Sequence, residues 1–473
     1  MKIKHLLSII FVLALFAGSI NVDAASPNNA IPPAQLPWSI KYVDNTSLSD
    51  VDHVSIAHHP STGRAYISYY DAKDFSLWVA QETDRGTGNC YNKDWICTKV
   101  DSTGDVGLYS SIDVTTYRPI PFGAFYTLIG VSYYDLDNRS LKYAEFDQYL
   151  NPLNQWTIST VDQSEFILTE SRGLYTSMKF NLDKDPVIGY HARQIASAVT
   201  DPYGAVKIAK YVKTGGTGCN GASHPGAWSC VLIDSNTTVA TGSHVSIDHT
   251  YEGILQIAFY DAYDGSLVFA RLSSTGYGSC TNTDYNCTTI DDGGSRGQYV
   301  SLHSPKSATD KIRFAYYDPG DGKLRYAEYI GVASGYNCAS PYFGCQVVGF
   351  VGGTPSYFAL DMTVDNQGYP IIAYMDASDD MWPARLEIAR PAAAYGQIVG
   401  NCGEPPPGYL APVWTCKVLD ADQYSHKAGS VGVSVSRAGL ATVAYSEDSD
   451  YYNRTTLKVA QQHFMTYLPL IKK

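Results

Sequence analysis

Several things are scarce in this 473-residue chain. Beyond the first 24 residues no stretch holds the about 18 uninterrupted apolar residues that a membrane-spanning helix needs, so no membrane span is expected. Basic charge is outweighed, with 34 Lys and Arg against 46 Asp and Glu and a formal net charge of −12. Phosphate binding needs a basic footprint, and its lack argues against a nucleic-acid partner. Acidity alone says little more than that the chain stays soluble. Methionine is rare, at six, and long Ala/Glu/Lys/Leu segments are missing, which argues against a helical protein. No complete P-loop and no His-Glu-x-x-His occurs, so two common catalytic signatures are absent.

What the chain does have begins with Lys2 and Lys4, an apolar run from Ile9 to Ala17 and small residues around Val22-Asp23-Ala24. That is the layout of a cleavable export signal. Residues 1–24 are expected to be removed, residues 25–35 to form a linker, and the product to be secreted and extracellular. Taking away Lys2, Lys4 and Asp23 leaves 32 basic and 45 acidic side chains, a net charge of −13. Tyr is abundant, with 38 against 15 Phe and 7 Trp, and an aromatic, Gly-rich composition favours β structure.

A repeat organises the remainder. ISYYD (67–71) recurs as VSYYD (131–135), IGYHA (188–192), IAFYD (257–261), FAYYD (314–318), IAYMD (372–376) and VAYSE (443–447). The alternation of large apolar, small and aromatic residues is the period-two pattern of a strand. Upstream of each copy lies another strand-like run, among them HVSIAHH (53–59), HVSIDH (244–249) and YFALDM (357–362), and downstream a third, such as SLWVA (76–80). A fourth run such as WICTKVD (95–101) follows six of the seven cells; the last cell lacks one, while an orphan copy, WSIKYVD (38–44), precedes the first. The count closes if the N-terminal strand completes the last blade of a ring. An all-β, seven-bladed β-propeller of four-stranded antiparallel blades is therefore predicted over residues 36–465, with 466–473 as a C-terminal tail.

The ten Cys fall in pairs between third and fourth strands: Cys90/Cys97, Cys219/Cys230, Cys280/Cys287, Cys338/Cys345 and Cys402/Cys416. In an exported chain this reads as five local disulfides, since the spacings do not fit the short Cys-x-x-Cys knuckles of zinc sites. GTGCNG (216–221) and GGSRG (293–297) formally match a dinucleotide loop and a nucleophile elbow. Both lack the strand-to-helix context those motifs require, and read as turns. DAYDGS (261–266) and DPGDGK (318–323) set two Asp close together before Gly, without the full ligand series of a calcium loop. Turn chemistry accounts for them; no cofactor is expected, and a structural Ca2+ is the alternative.

The shared residues of Tyr-Tyr-Asp read as scaffold. The third-position aromatics are expected to pack between blades, and the repeat acids Asp71, Asp135, Asp261 and Asp318 to bond backbone amides in the following turn. Function is expected at the mouth of the central channel, ringed by the first-strand starts His53, Tyr109, Tyr175, His244, Tyr299 and Tyr357. Aromatic rings stack on apolar sugar faces, and carboxylates accept hydroxyl hydrogen bonds. The places where the repeat breaks supply further candidates: His191 in blade three, Asp376 and Asp379 in blade six, Glu447 and Asp448 in blade seven.

The unit, S-I-x-[VL]-D … [IV]-A-Y-Y-D … G-x-L-x-Y-A … W-x-x-x-x-V-D, resembles that of secreted bacterial propellers, distantly similar to sialidase-like and lectin-like propellers. The resemblance covers nearly the whole chain after residue 24 and implies the scaffold. The sialidase Asp-box, Ser-x-Asp-x-Gly-x-Thr-Trp, is missing, and so is a set of three Arg on inner strands, so no catalytic residue is carried over. The leading expectation is a non-catalytic binding propeller for carbohydrate or a cell-surface or matrix component. A glycoside hydrolase or lyase acting on polysaccharide and a structural protein-interaction module are the alternatives.

Overall fold

The computed structural model describes residues 33–44, 50–151, 155–164, 170–194, 204–236, 241–331, 337–351, 359–376, 385–421, 426–449 and 454–464. Its strands form seven four-stranded antiparallel sheets, each a run of four consecutive strands except the last. Blade one is Val51–His58, Ala65–Asp71, Ser76–Glu82 and Trp95–Asp101. Blade seven takes His426–Val435, Ala441–Ser449 and Arg454–Gln462, and its fourth, outermost strand is the N-terminal Trp38–Asp44, with Trp38 opposite Gln462 and Ile40 opposite Ala460. The ring is thus closed by the two ends of the chain sharing one sheet, as the strand count requires.

The first strands lie innermost. Each packs against its counterparts in the two adjacent blades, and the circle closes where Val51–His58 meets His426–Val435. Among the described residues the buried apolar side chains form seven clusters, and each cluster unites residues of two neighbouring blades. The core is therefore a set of blade joints rather than one central mass. This is why the third-position aromatics Tyr69, Tyr133, Tyr190, Phe259, Tyr316 and Tyr445 are fully enclosed.

Their hydroxyls explain the Asp that ends most fourth strands. Tyr133 donates to Asp101 of the preceding blade at 2.7 Å, Tyr190 to Asp162 at 2.5 Å, Tyr316 to Asp291 at 2.6 Å, Tyr445 to Asp420 at 2.6 Å and Tyr69 to Asp44 at 3.2 Å. A cation from the third strand joins most of these pairs, as Lys142 does at Asp101 and Lys207 at Asp162. Where one member changes, the others change too. Blade four has Phe259 and Val268, and Asp234 turns to Thr281 instead. Blade six faces Gly349, and Tyr374 turns to Glu387 of its own blade at 2.7 Å.

All five expected disulfides are present, Cys90–Cys97, Cys219–Cys230, Cys280–Cys287, Cys338–Cys345 and Cys402–Cys416, each spanning one third-to-fourth-strand hairpin. Asp71 accepts the amides of Asp50 and Lys73, Asp135 that of Asn138 and Asp261 that of Tyr263, which is the turn role the repeat implies. Two acids depart from it. Asp318 binds Arg296 and Arg325, at 3.1 and 2.9 Å, and Glu447 pairs with Lys458 at 2.5 Å.

Asp162 is fully buried and holds four donors: Tyr190, Lys207, Arg172 and the Asn220 amide. Those donors hold its carboxyl below the usual range despite the opposing cost of burial. Asp162→Ala removes a buried carboxylate partner from both Lys207 and Arg172 and is expected to cost about 3–5 kcal/mol of unfolding free energy. Tyr190→Phe, which removes one hydrogen bond, is expected to cost about 1 kcal/mol. Urea unfolding midpoints measure both, and equal losses in the two variants would refute this ordering.

Candidate functional site

The start of each inner strand departs from regular β geometry in the same way. In blade one Asp52 pairs with Tyr70 and Ser55 with Ser68, so that two residues, His53 and Val54, face one, Tyr69. The same two-against-one bulge recurs at Tyr109, Tyr175, His244 and Tyr299. All five of these residues are left-handed, with φ of 52°, 54°, 51°, 55° and 53° for His53, Tyr109, Tyr175, His244 and Tyr299. A side chain in that region is strained by about 1 kcal/mol or more.

In four blades a glycine stands two residues earlier: Gly107, Gly173, Gly242 and Gly297. It too has positive φ, and a Cβ on Gly173 or Gly297 would lie 2.8 Å from the Cα of Leu141 or Leu267 in the preceding blade. Only glycine permits that approach. Gly297 is the last residue of GGSRG, so that motif is an inter-blade turn. Gly-x-(Tyr/His) was the available sequence signal for these bulges, and strand periodicity alone passes over it.

The bulges carry their rings together. Centroids are 4.6 Å apart from His53 to Tyr109, 4.7 Å from Tyr109 to Tyr175, 4.4 Å from Tyr175 to His244 and 4.4 Å from His244 to Tyr299. Successive rings are tilted by 41° to 49°, so the five make a continuous, half-buried arc over blades one to five. A second row backs it: Tyr70, Tyr134, His191 and Tyr317 stand 6.2 to 6.4 Å from His53, Tyr109, Tyr175 and Tyr299 respectively. His191, buried, takes the place that Tyr holds in the neighbouring copies.

The arc is electrically neutral over most of its length. Burial, and then the nearby His191, pushes the His244 imidazole down to about 3, so it carries no proton at neutral pH. Burial raises the Tyr109 and Tyr175 phenols, and it pushes Tyr299 up to about 12.

Of the candidate residues, the structure gathers His53, Tyr109, Tyr175, His244, Tyr299 and His191. Tyr357 lies outside the described residues. In the described part of blade six Leu360 pairs with Tyr374 and Asp361 with Ala373, which makes Ala359 the register counterpart of His53. Blade seven has Ser430 there. Glu447 is buried in the joint with blade six, beside Lys458, which also reaches Asp420 at 3.3 Å. Asp376 is half-buried at the end of its strand, opposite Arg385 in the register. Asp379 lies outside the described residues. Among the described residues no group of three or more His, Cys, Asp or Glu is placed to hold a metal ion, and no helix is long and apolar enough to cross a membrane.

No protein family matches the chain by sequence, and neither does any curated protein. Solved structures match by shape. An α-L-arabinofuranosidase from Fusarium graminearum, in complex with an iminosugar inhibitor, is 9% identical, with 89% of this chain and 97% of that chain covered and a TM-score of 0.45. The NanB sialidase of Streptococcus pneumoniae is 10% identical over 89% of this chain and 69% of that chain, with a TM-score of 0.38. The Aleuria aurantia lectin, in complex with alpha-methyl-L-fucoside, is 12% identical over 76% of this chain and 100% of that chain, with a TM-score of 0.40. At such identities no residue of this chain is assigned a role by these likenesses.

Buried histidines also set an acid limit on the fold. His58 and His249 are pushed down to about 4 by burial, and His244 to about 3, from 6.5. The unfolded chain therefore takes up these protons first, and stability falls as pH drops from about 6.5 towards 4. The carboxyls of half-buried Glu145 and buried Glu387 are raised by desolvation and act in the opposite sense, so the histidine share is read by difference. A His58→Gln/His249→Gln double variant should lose less of its thermal midpoint between pH 6.5 and 4.5 than the parent; an equal loss in both would overturn the assignment.

Proposed function

We propose that this protein is an extracellular, non-catalytic propeller that binds carbohydrate at the channel mouth. The observation that supports this reading is the arc of five contiguous rings carried on strained bulges. Left-handed φ is cheapest for glycine, yet five blades keep Tyr or His there. Strain retained at equivalent positions points to a use for the side chain. Half-buried rings with polar edges suit ligands that combine apolar faces with hydroxyls, as sugars do. Five disulfides fit an oxidising compartment, in keeping with the reading of residues 1–24 as an export signal.

The hydrolase reading has less support. It needs two carboxyls flanking one bond; of the acids put forward for it, Glu447 is paired with Lys458, Asp376 stands in a different blade and Asp379 lies outside the described residues.

A glycan array followed by titration calorimetry tests the proposal. Binding to a defined set of saccharides is expected, with Tyr299→Ala weakening it about tenfold and His244→Ala/Tyr299→Ala abolishing it. No glycan above background would overturn the carbohydrate reading. Release of reducing ends from a polysaccharide panel would overturn the non-catalytic one.

A further inference from the structure

Asp52 immediately precedes His53 in the blade-one bulge. Its counterparts in blades two to five are Leu108, Leu174, Ser243 and Gln298, so it is the one charged residue at this position in the arc-bearing blades. Its side chain is 48% exposed. One carboxylate oxygen accepts the His53 amide at 2.7 Å, and the other lies 4.0 Å from His53 Nε2. No cation of the protein neutralises it among the described residues apart from that histidine edge. That approach sets the carboxylate beside the first ring of the arc, and after burial, Tyr175 and Tyr134 its charge adds to the rise of the Tyr109 phenol in the adjacent blade. The carboxylate therefore stands at the His53 end of the arc.

A carboxylate beside the π faces of several rings favours a cation. The ring quadrupoles attract positive charge, and the carboxylate supplies the formal counter-charge. His244 stays neutral and does not oppose it. Arg193, on the same strand as His191 and two residues on, acts on Tyr175 in blade three. The whole chain, at a net −12, draws cationic ligands towards it.

We infer that the mouth selects saccharides bearing a free, protonated amine, with the ammonium beside the Asp52 carboxylate at the rings of His53 and Tyr109. This rests on the carbohydrate reading and narrows it to one chemical class.

The test compares two oligosaccharides with one backbone, a β-1,4-linked glucosamine trimer and its fully N-acetylated form. They are titrated into the purified protein at about pH 6, where an amine is charged. The amine form is expected to bind about tenfold tighter, and the preference should shrink as salt rises from about 50 to about 500 mM. Asp52→Asn should bring the two oligomers to the same affinity, whereas Arg193→Gln should keep the preference. Circular dichroism of each variant establishes that it is folded. Equal or tighter binding of the acetylated form, or a preference that survives Asp52→Asn, overturns the inference and leaves the carbohydrate reading standing. Binding of neutral or acidic glycans alone does the same. Binding of no saccharide at all overturns both.

Discussion

Sheets arranged radially leave the innermost strand of each blade with backbone N–H groups that no further strand can take. Here a side-chain oxygen of the preceding blade takes one of them at nearly every joint. Ser55 Oγ accepts from the Ile112 amide, Ser111 from Met178, Ser177 from Ile247, Ser246 from Leu302 and Ser301 from Met362, at 3.0 to 3.3 Å. Asp361 continues the series to Val433 at 2.8 Å. At the seventh joint the position is Gly432, where a Cβ would lie 3.1 Å from Ile56 Cγ2 and 3.2 Å from its amide. The blades there approach too closely for a side chain, and Ser430 Oγ takes the Val54 amide instead. Each rung satisfies an edge donor and fixes the height of one blade against the next, so the ring's register rests on a hydroxyl in most blades.

The mouth depends on the same hydroxyl system. Ser110 Oγ donates to the His53 carbonyl at 2.6 Å, and Thr176 Oγ1 to that of Tyr109 at 2.8 Å. These bonds hold the carbonyl that the left-handed turn displaces from the ladder. A buried hydrogen bond contributes about 1 kcal/mol, the same order as the strain of one such residue. The bulge is thus nearly neutral in energy where the hydroxyl is present, and the aromatic ring can be kept for what it touches.

Much of this was legible in the sequence because strands and turns repeat with a fixed period. The number of blades, the N-terminal strand completing blade seven and all five cysteine pairs follow from counting copies. The blade-six mouth residue did not follow. YFALDM begins with an aromatic, as its counterparts do, but the serine that marks the rung in other blades is replaced there by Asp361, so the alignment with HVSI and YVSL is hidden. The rung from Ser301 to Met362 reveals the true alignment, with Asp361 in the serine position and Ala359 in the aromatic one. Partnership across blades was equally hidden. The fourth-strand Asp and the second-strand Tyr are conspicuous in sequence, yet nothing local says that one blade's Asp receives the next blade's Tyr.

Those two kinds of joint separate scaffold from site. At the outer joint, changes come in sets: Phe259 and Val268 arrive together, and Gly349 coincides with Glu387. Such substitutions preserve satisfaction of buried groups, since a lone carboxylate or ammonium left in a blade joint would cost several kcal/mol. The mouth positions obey no such bookkeeping. Tyr and His exchange there, and Ala359 and Ser430 interrupt the row. Residues whose variation leaves the outer joints intact, but whose backbone is left-handed in five blades, are the ones on which the binding proposal rests. In this chain those residues are the five rings of the arc.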